Sequence, residues 1–361
     1  MDANSGLYLP TPQPRRRGVV LSVVAALLTG FLMTAVFAVA TRATLAHFAA
    51  APAASASTSA NPIAAVTHAI VAVNTTLAGI GGSGSAAGTG IIVSSHGLVL
   101  TNNHVVKGST SIEVSFQDRA GSYAATVVGV DPADDVALIQ VQGVSGLPTV
   151  TLGDSSSVRV GEAVVAIGNA LGRGGAPSVT AGQITAVDQS ITASDGSSSE
   201  QLDGLIQMDA AISPGDSGGA LVNSAGRVIG MITAGESTSR RQTFTTVGFA
   251  IPSNTAASVA RQIESGQGGP NIYVGQTGYL GVAVGSEARV EAVAPGSPAA
   301  EAGITAGSTI SDIGGVAVSG PSDLGPAIWS HAAGERVQIT WTDASGRRHS
   351  ASVTLAAGPA A

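Results

Sequence analysis

From residue 62 to residue 251, ten short apolar runs alternate with clusters of Gly, Ser and Asp. They are Gly90-Ile91-Ile92-Val93, Leu98-Val99-Leu100, and the segments 111–116, 125–130, 136–141, 163–167, 183–187, 220–222, 228–232 and 247–251. Each has the length of a strand, and each is bounded by turn-forming residues. That pattern predicts an all-β body, a barrel or sandwich pair. The chain has 48 glycines and only 3% aromatic residues, a balance that suits many short strands and tight turns better than long helices. One helix is expected over 253–264. Ser253 is placed as its cap, and Ala256, Val259, Ala260 and Ile263 form one apolar stripe.

A Gly-rich stretch, 266–278, reads as a linker to a second, smaller α+β unit over 279–356. Strands are expected there at 280–284, 289–293, 309–313, 337–342 and 349–355, with helices at 298–302 and 322–333. Before the β body, Arg15-Arg16-Arg17 closes a polar tail, 1–17, and precedes a charge-free run, 18–40. At about 1.5 Å per residue such a run covers a bilayer core of about 30 Å. The arginines predict a cytoplasmic N-terminus and an extracytoplasmic remainder. A cleaved leader competes with this reading, because Ala38-Val39-Ala40 offers a small-residue site. The length of the run favours an uncleaved transmembrane helix. Residues 41–61 read as a flexible linker, and 62–265 as the main folded domain.

Bulk properties exclude several classes. A net charge of -7 with no basic stripe beyond Arg15-Arg16-Arg17 argues against nucleic acid. No cysteine is present, so disulfides, thiolate nucleophiles and cysteine zinc sites are impossible. No phosphate-binding or dinucleotide motif and no metal-ligand cluster appears, so no cofactor and no metal are expected.

Three stretches carry chemistry. In Gly215-Asp216-Ser217-Gly218-Gly219, a serine sits in a tight turn whose backbone N–H groups can face one cavity. A serine hydroxyl needs such donors for the oxyanion formed on attack, and a base for its proton. The oxyanion hole is assigned to Gly215, Asp216 and Ser217. Of the six histidines, His104 in Thr101-Asn102-Asn103-His104-Val105-Val106 is the best placed base, at the end of a strand-like run. Asp135, in Asp131-Pro132-Ala133-Asp134-Asp135-Val136, opens an apolar strand and can orient the imidazole, leaving Asp134 in the turn. The order His, Asp, Ser along the chain is that of the chymotrypsin-type β-barrel proteases.

Residues from about 62 to 355 resemble the HtrA (Deg) family, a trypsin-like protease domain followed by a PDZ domain. Thr101–Val106 resembles the family's histidine motif. Asp134-Asp135-Val136-Ala137-Leu138-Ile139 resembles its aspartate motif and selects Asp135. Gly215–Asn223 resembles its serine motif. Asp216 departs from the Asn that many members carry. The resemblance implies a mainly β fold, a chymotrypsin-like double β-barrel protease domain plus a small α+β PDZ domain. The implied activity is that of a serine endopeptidase acting on exported, misfolded or unanchored proteins. It also implies a homotrimer and mobile loops near 193–201, 204–214 and 234–245.

In trypsin an acid lies six positions before the nucleophile, where this chain has Ala211. A pocket walled by Ala211, Ile212, Thr233 and Ala234 carries no charge and should favour small or medium apolar side chains. In the second unit, Gly278-Tyr279-Leu280-Gly281-Val282 carries the PDZ resemblance, with Tyr279, Leu280, Gly281 and Val282 as the loop that receives a peptide C-terminal carboxylate. Ala327, Ile328 and His331 are expected on the groove face of the following helix. Two other functions fit less well: a PDZ-led chaperone or scaffold with a vestigial protease fold, and an esterase using the same triad.

Overall fold

The computed structural model describes residues 61–79, 82–169, 175–194, 199–235 and 247–358. Contacts divide the chain into 1–59 and 60–361, and every described residue belongs to the second unit. The tail 1–17, the run 18–40 and all but the end of the linker 41–61 lie outside the described residues. Among those described, no helix is long and apolar enough to cross a membrane.

A short helix, Pro62–His68, capped by the Asn61 carboxamide, leads into six strands: β1 (Ile70–Gly79), β2 (Gly82–Ile92), β3 (Leu98–Thr101), β4 (Ser109–Phe116), β5 (Ser122–Asp131) and β6 (Val136–Val141). Their order is β5-β4-β1-β2-β3-β6, and pairing of β5 with β6 closes the ring. Six more strands close a second barrel in the order β10-β11-β12-β9-β8-β7. These are β7 (Ala163–Gly168), β8 (Ser178–Ser194), β9 (Ser199–Met208), β10 (Ala220–Asn223), β11 (Val228–Gly235) and β12 (Gly248–Pro252). All ten expected strands are present. Two more, β1 and β9, complete the rings. They escaped the pattern because each mixes polar with apolar positions, as in Asn74-Thr75-Thr76 and Glu200-Gln201-Leu202-Asp203.

The near-continuous apolar runs have a direct cause. Successive side chains on a strand point to opposite faces, and both faces here are buried. On β6, Ala137, Ile139 and Val141 fill the first barrel. Val136 and Leu138 instead join the layer outside it, with Leu100, Ile167, Val222 and Met231. The second barrel holds Val164, Ile184, Met208, Leu221 and Ile229. The helix Ser253–Glu264 presses its stripe of Ala256, Val259, Ala260 and Ile263 into the same outer layer. Ser253 is not its cap. Pro252 holds that position, and the Ser253 hydroxyl donates to Gly153 O at 2.8 Å.

The stretch expected to be a linker carries structure. Tyr273–Val274 forms β13, a seventh strand that pairs with Gly129 and Val130 of β5, beyond the stretch of β5 paired with β4. Tyr273 is buried in the first-barrel core and meets Trp329 edge-on at 5.8 Å between ring centroids. A Gly-rich flank masked this single aromatic anchor in the sequence.

The second unit contains β14 (Gly278–Tyr279), β15 (Val282–Val284), β16 (Val290–Val293), a helix Pro298–Glu301, β17 (Thr309–Ile313), β18 (Val316–Ala317), a helix Pro321–Trp329, β19 (Arg336–Thr342), β20 (Arg348–Thr354) and β21 (Ala356–Ala357). Its core gathers Leu280, Val290, Ile310, Ile313, Leu324, Ile339, Trp341 and Leu355. The helix expected to reach residue 333 stops at Trp329.

Candidate active site

His104 sits in a single helical turn, Asn103–Val106, directly after β3. Asp135 is the residue before β6, and β3 pairs with β6. The two side chains therefore leave adjacent strand ends. His104 Nδ1 lies 2.9 Å from Asp135 Oδ2 and 3.1 Å from Oδ1, and the His104 backbone N–H donates to Oδ1 at 2.9 Å. The imidazole is 39% exposed and the carboxylate only 2%, an arrangement in which the charge is held by donors and not by water. Asp135 adopts φ +52°, a left-handed conformation that Asp tolerates better than most residues. Its carbonyl accepts from Asn103 N–H at 3.2 Å and from the Asn102 side-chain amide at 3.0 Å. Asp131 instead caps its own turn, accepting from Ala133 and Asp134 N–H at 3.0 and 3.3 Å. Asp134 is exposed, as expected.

Thr233, on β11, completes this set. Its hydroxyl donates to Asp135 Oδ2 at 2.6 Å, and its carbonyl accepts from Ser217 Oγ at 3.1 Å. One residue of the second barrel thus touches both the Asp135 carboxylate and the Ser217 hydroxyl. The turn holding Ser217 precedes β10 and has φ +97° at Gly215 and +85° at Gly218. Gly218 is obligatory here, because a Cβ would strike Thr89 O and lie 2.6 Å from Thr101 Oγ1. Among the described residues, the N–H groups of Gly215 and Ser217 meet no acceptor, which leaves two donors for an oxyanion. The Asp216 N–H does not join them: it donates to Ser213 O at 3.0 Å. Of the three residues expected to form an oxyanion hole, Gly215 and Ser217 thus keep a donor and Asp216 does not.

The Asp216 side chain is buried. It accepts from Ser213 N–H at 2.8 Å and from Ser178 Oγ at 3.2 Å. Burial raises its pKa above the ordinary value, and those two donors only partly offset the effect.

Residues 88–231 match the trypsin-like peptidase domain family, and 289–341 match the PDZ domain family. The solved structure of the HtrA-type protease AlgW with a tripeptide is 32% identical, with a TM-score of 0.50, and the match covers 83% of this chain and 97% of that one. The chain belongs to the HtrA family of serine proteases. It is 40% identical to the periplasmic serine endoprotease DegP of Escherichia coli K12 over 204 residues, 56% of this chain and 40% of that protein. Identity to the serine protease PepD of Mycobacterium tuberculosis is 35% over 298 residues, 76% of this chain and 61% of PepD. The chain thus matches from two fifths to three fifths of the length of these curated relatives.

Of the four residues expected to wall the substrate pocket, two are committed elsewhere. Ile212 is packed in the second-barrel core, and Thr233 is buried against Asp135. Ala211 is half-buried, with its carbonyl taken by Thr180 Oγ1 at 2.8 Å. Of Ala234 only the backbone is described, paired with Phe249. Residues 195–198 and 236–246, in two of the loops expected to be mobile, lie outside the described residues.

In the PDZ domain, Tyr279, Leu280, Gly281 and Val282 form one end of a groove whose helical wall is Leu324, Gly325, Ile328 and Trp329. Gly281 has φ +84°, and a Cβ there would strike Ser297. Ile328 lines this groove, but Ala327 and His331 face a different cleft, where His331 Nδ1 lies 2.8 Å from Glu335 Oε1. For His331 the cause is the early end of the helix, which removes residue 331 from its groove face.

Two residues escaped sequence reasoning. One is the role of Thr233. The other is Thr89 on β2, which is fully buried. Its N–H donates to Ser217 O at 2.7 Å, its hydroxyl donates to Gly215 O at 2.6 Å and accepts from Asn169 N–H at 2.8 Å, and its carbonyl accepts from Thr101 Oγ1 at 2.7 Å. It pins the serine turn to the first barrel. No local signal in Gly88-Thr89-Gly90 marks it.

Proposed function

We propose that the chain is a serine endopeptidase in which His104, Asp135 and Ser217 act as base, orienting carboxylate and nucleophile. The observation that supports this best is the buried Asp135, which holds His104 Nδ1 while Thr233 bonds both Asp135 and Ser217. Ser217 Oγ attacks the scissile carbonyl carbon as His104 Nε2 takes its proton. The oxyanion accepts hydrogen bonds from Gly215 and Ser217 N–H. His104 then protonates the leaving amine, the C–N bond breaks, and water hydrolyses the acyl-Ser217 ester by the same proton route in reverse.

The substrates are exported, misfolded or unanchored proteins, and the PDZ domain takes peptide C-termini. The protease domain spans 62–265 and the PDZ domain 279–356. The run 18–40 anchors the chain in the cell membrane with its N-terminus cytoplasmic and both domains outside, and the protease domains associate as a homotrimer. An uncharged pocket at Ala211 directs cleavage to small or medium apolar side chains.

The test is labelling by a serine-directed phosphonate alongside casein and p-nitrophenyl ester turnover. Labelling and casein cleavage should both vanish in Ser217→Ala. Ester turnover without proteolysis would point to an esterase, and absence of labelling in the parent would leave a binding protein.

A further inference from the structure

The left-handed backbone of Asp135 has to be held in place. At φ +52° a residue other than glycine sits in a sparsely populated well, and it stays there only where its surroundings fix it. Relaxation of that backbone to an ordinary extended conformation would swing the carboxylate away from His104. Two donors fix the Asp135 carbonyl, the Asn103 N–H at 3.2 Å and the Asn102 side-chain amide at 3.0 Å. Both come from the strand end that carries His104, whose own N–H donates to Asp135 Oδ1 at 2.9 Å. The backbone and the carboxylate of Asp135 are thus tied to one short segment. Asn102 is completely buried, and its Oδ1 meets no donor among the described residues. Exchanging its two terminal atoms would not help, because an oxygen would then face the Asp135 carbonyl. A bare buried acceptor weakens a fold, whereas an apolar side chain of similar shape leaves nothing unpaired. Stability therefore does not account for an asparagine at this position.

We propose that Asn102 is a positioning residue for peptide hydrolysis: its amide holds Asp135 in the left-handed conformation that aims the carboxylate at His104 Nδ1. It acts through Asp135 and not on the reacting atoms. The adjacent Thr101 does the corresponding work for the nucleophile. Its hydroxyl donates to Thr89 O at 2.7 Å, and Thr89 in turn holds Gly215 O and Ser217 O. Residues 101–104 therefore carry the base and also hold the carboxylate and the serine turn in register with it. This inference rests on the reading of His104, Asp135 and Ser217 as the catalytic triad.

The experiment is a double-mutant cycle on the full chain. Steady-state turnover of a peptide p-nitrophenyl ester is measured and normalised to active sites titrated with a serine-directed phosphonate. Asn102→Leu removes the amide donor and the bare oxygen together. Asp135→Gly removes the carboxylate and tolerates the left-handed backbone. Alone, Asn102→Leu should lower kcat about tenfold and leave KM unchanged. In the Asp135→Gly background it should change kcat less than about twofold, because no carboxylate is left to aim. Asn102→Ala repeats the comparison with a smaller side chain, so that a leucine too bulky for the site does not decide the result. Parental kcat in both Asn102 variants, or the same fold-loss with and without the Asp135 carboxylate, would overturn the role of Asn102 and leave the triad standing. Parental kcat in Asp135→Gly itself would overturn the triad reading.

Discussion

Replacing Thr233 by valine would remove one hydroxyl and keep the shape of the side chain. The hydroxyl donates at 2.6 Å to a carboxylate that is nearly sealed from solvent, and Thr233 itself is 3% exposed. A hydrogen bond to a charged group contributes about 1.5–3 kcal/mol. Water cannot easily replace the lost donor, so the upper half of that range is expected. In a domain of this size about 1 kcal/mol corresponds to about 2–4 °C in Tm, which predicts a fall of roughly 5–10 °C.

Turnover should fall less than for loss of the carboxylate. Asp135 keeps the His104 N–H and Nδ1 contacts at 2.9 Å, so the imidazole stays oriented. A drop of about tenfold in kcat is expected, against about 10⁴-fold for Asp135→Asn. The assay is calorimetry together with steady-state cleavage of a peptide substrate, and Thr233→Ser, which retains the hydroxyl, is the control. Unchanged Tm and turnover in Thr233→Val would refute the role given to the hydroxyl. A loss as deep as that of Asp135→Asn would refute the claim that the remaining donors hold the carboxylate.

Asp216→Asn should keep activity, because the amide oxygen can still accept from Ser213 N–H. Burial raises the folded-state pKa of Asp216, so its stability contribution is full below about pH 4 and is lost as pH rises through the raised value. The asparagine variant should therefore gain Tm relative to the parent between pH 4 and 7, and a pH-independent difference between the two melting curves would contradict this. Gly218→Ala adds a steric clash to a left-handed backbone and should cost about 2–4 kcal/mol in urea unfolding. Gly121→Ala, with φ +83° but no atom within 4 Å of the added Cβ, should cost only about 1 kcal/mol. Equal losses at the two glycines would mean that the serine turn is not packed as described.

Much of the fold lay in local pattern. Ten of the twelve barrel strands read directly as apolar runs, since burial of both faces leaves little room for polar residues. The helix Ser253–Glu264 was legible from its stripe. His104, Asp135 and Ser217 stood out because a nucleophile, a base and an orienting acid each need a particular residue type beside a particular turn. The strands β1 and β9 were missed because their polar residues break the pattern. β13 was missed because one buried tyrosine in a glycine-rich stretch leaves no period to read.

The tertiary structure alone decided the rest. Partners lie far apart in sequence: Asp135 is 31 residues from His104 and 98 from Thr233, and Thr89 is 126 from Gly215. Hydrogen bonds act over about 3 Å of space, whereas sequence pattern reports only which face of its own element a residue occupies. Closure of two barrels converted those faces into contacts. It turned Thr233 from an expected pocket wall into a brace, turned the Asp216 N–H to Ser213 O, and set Lys107 beside a groove made by residues about 170 to 220 positions further along the chain.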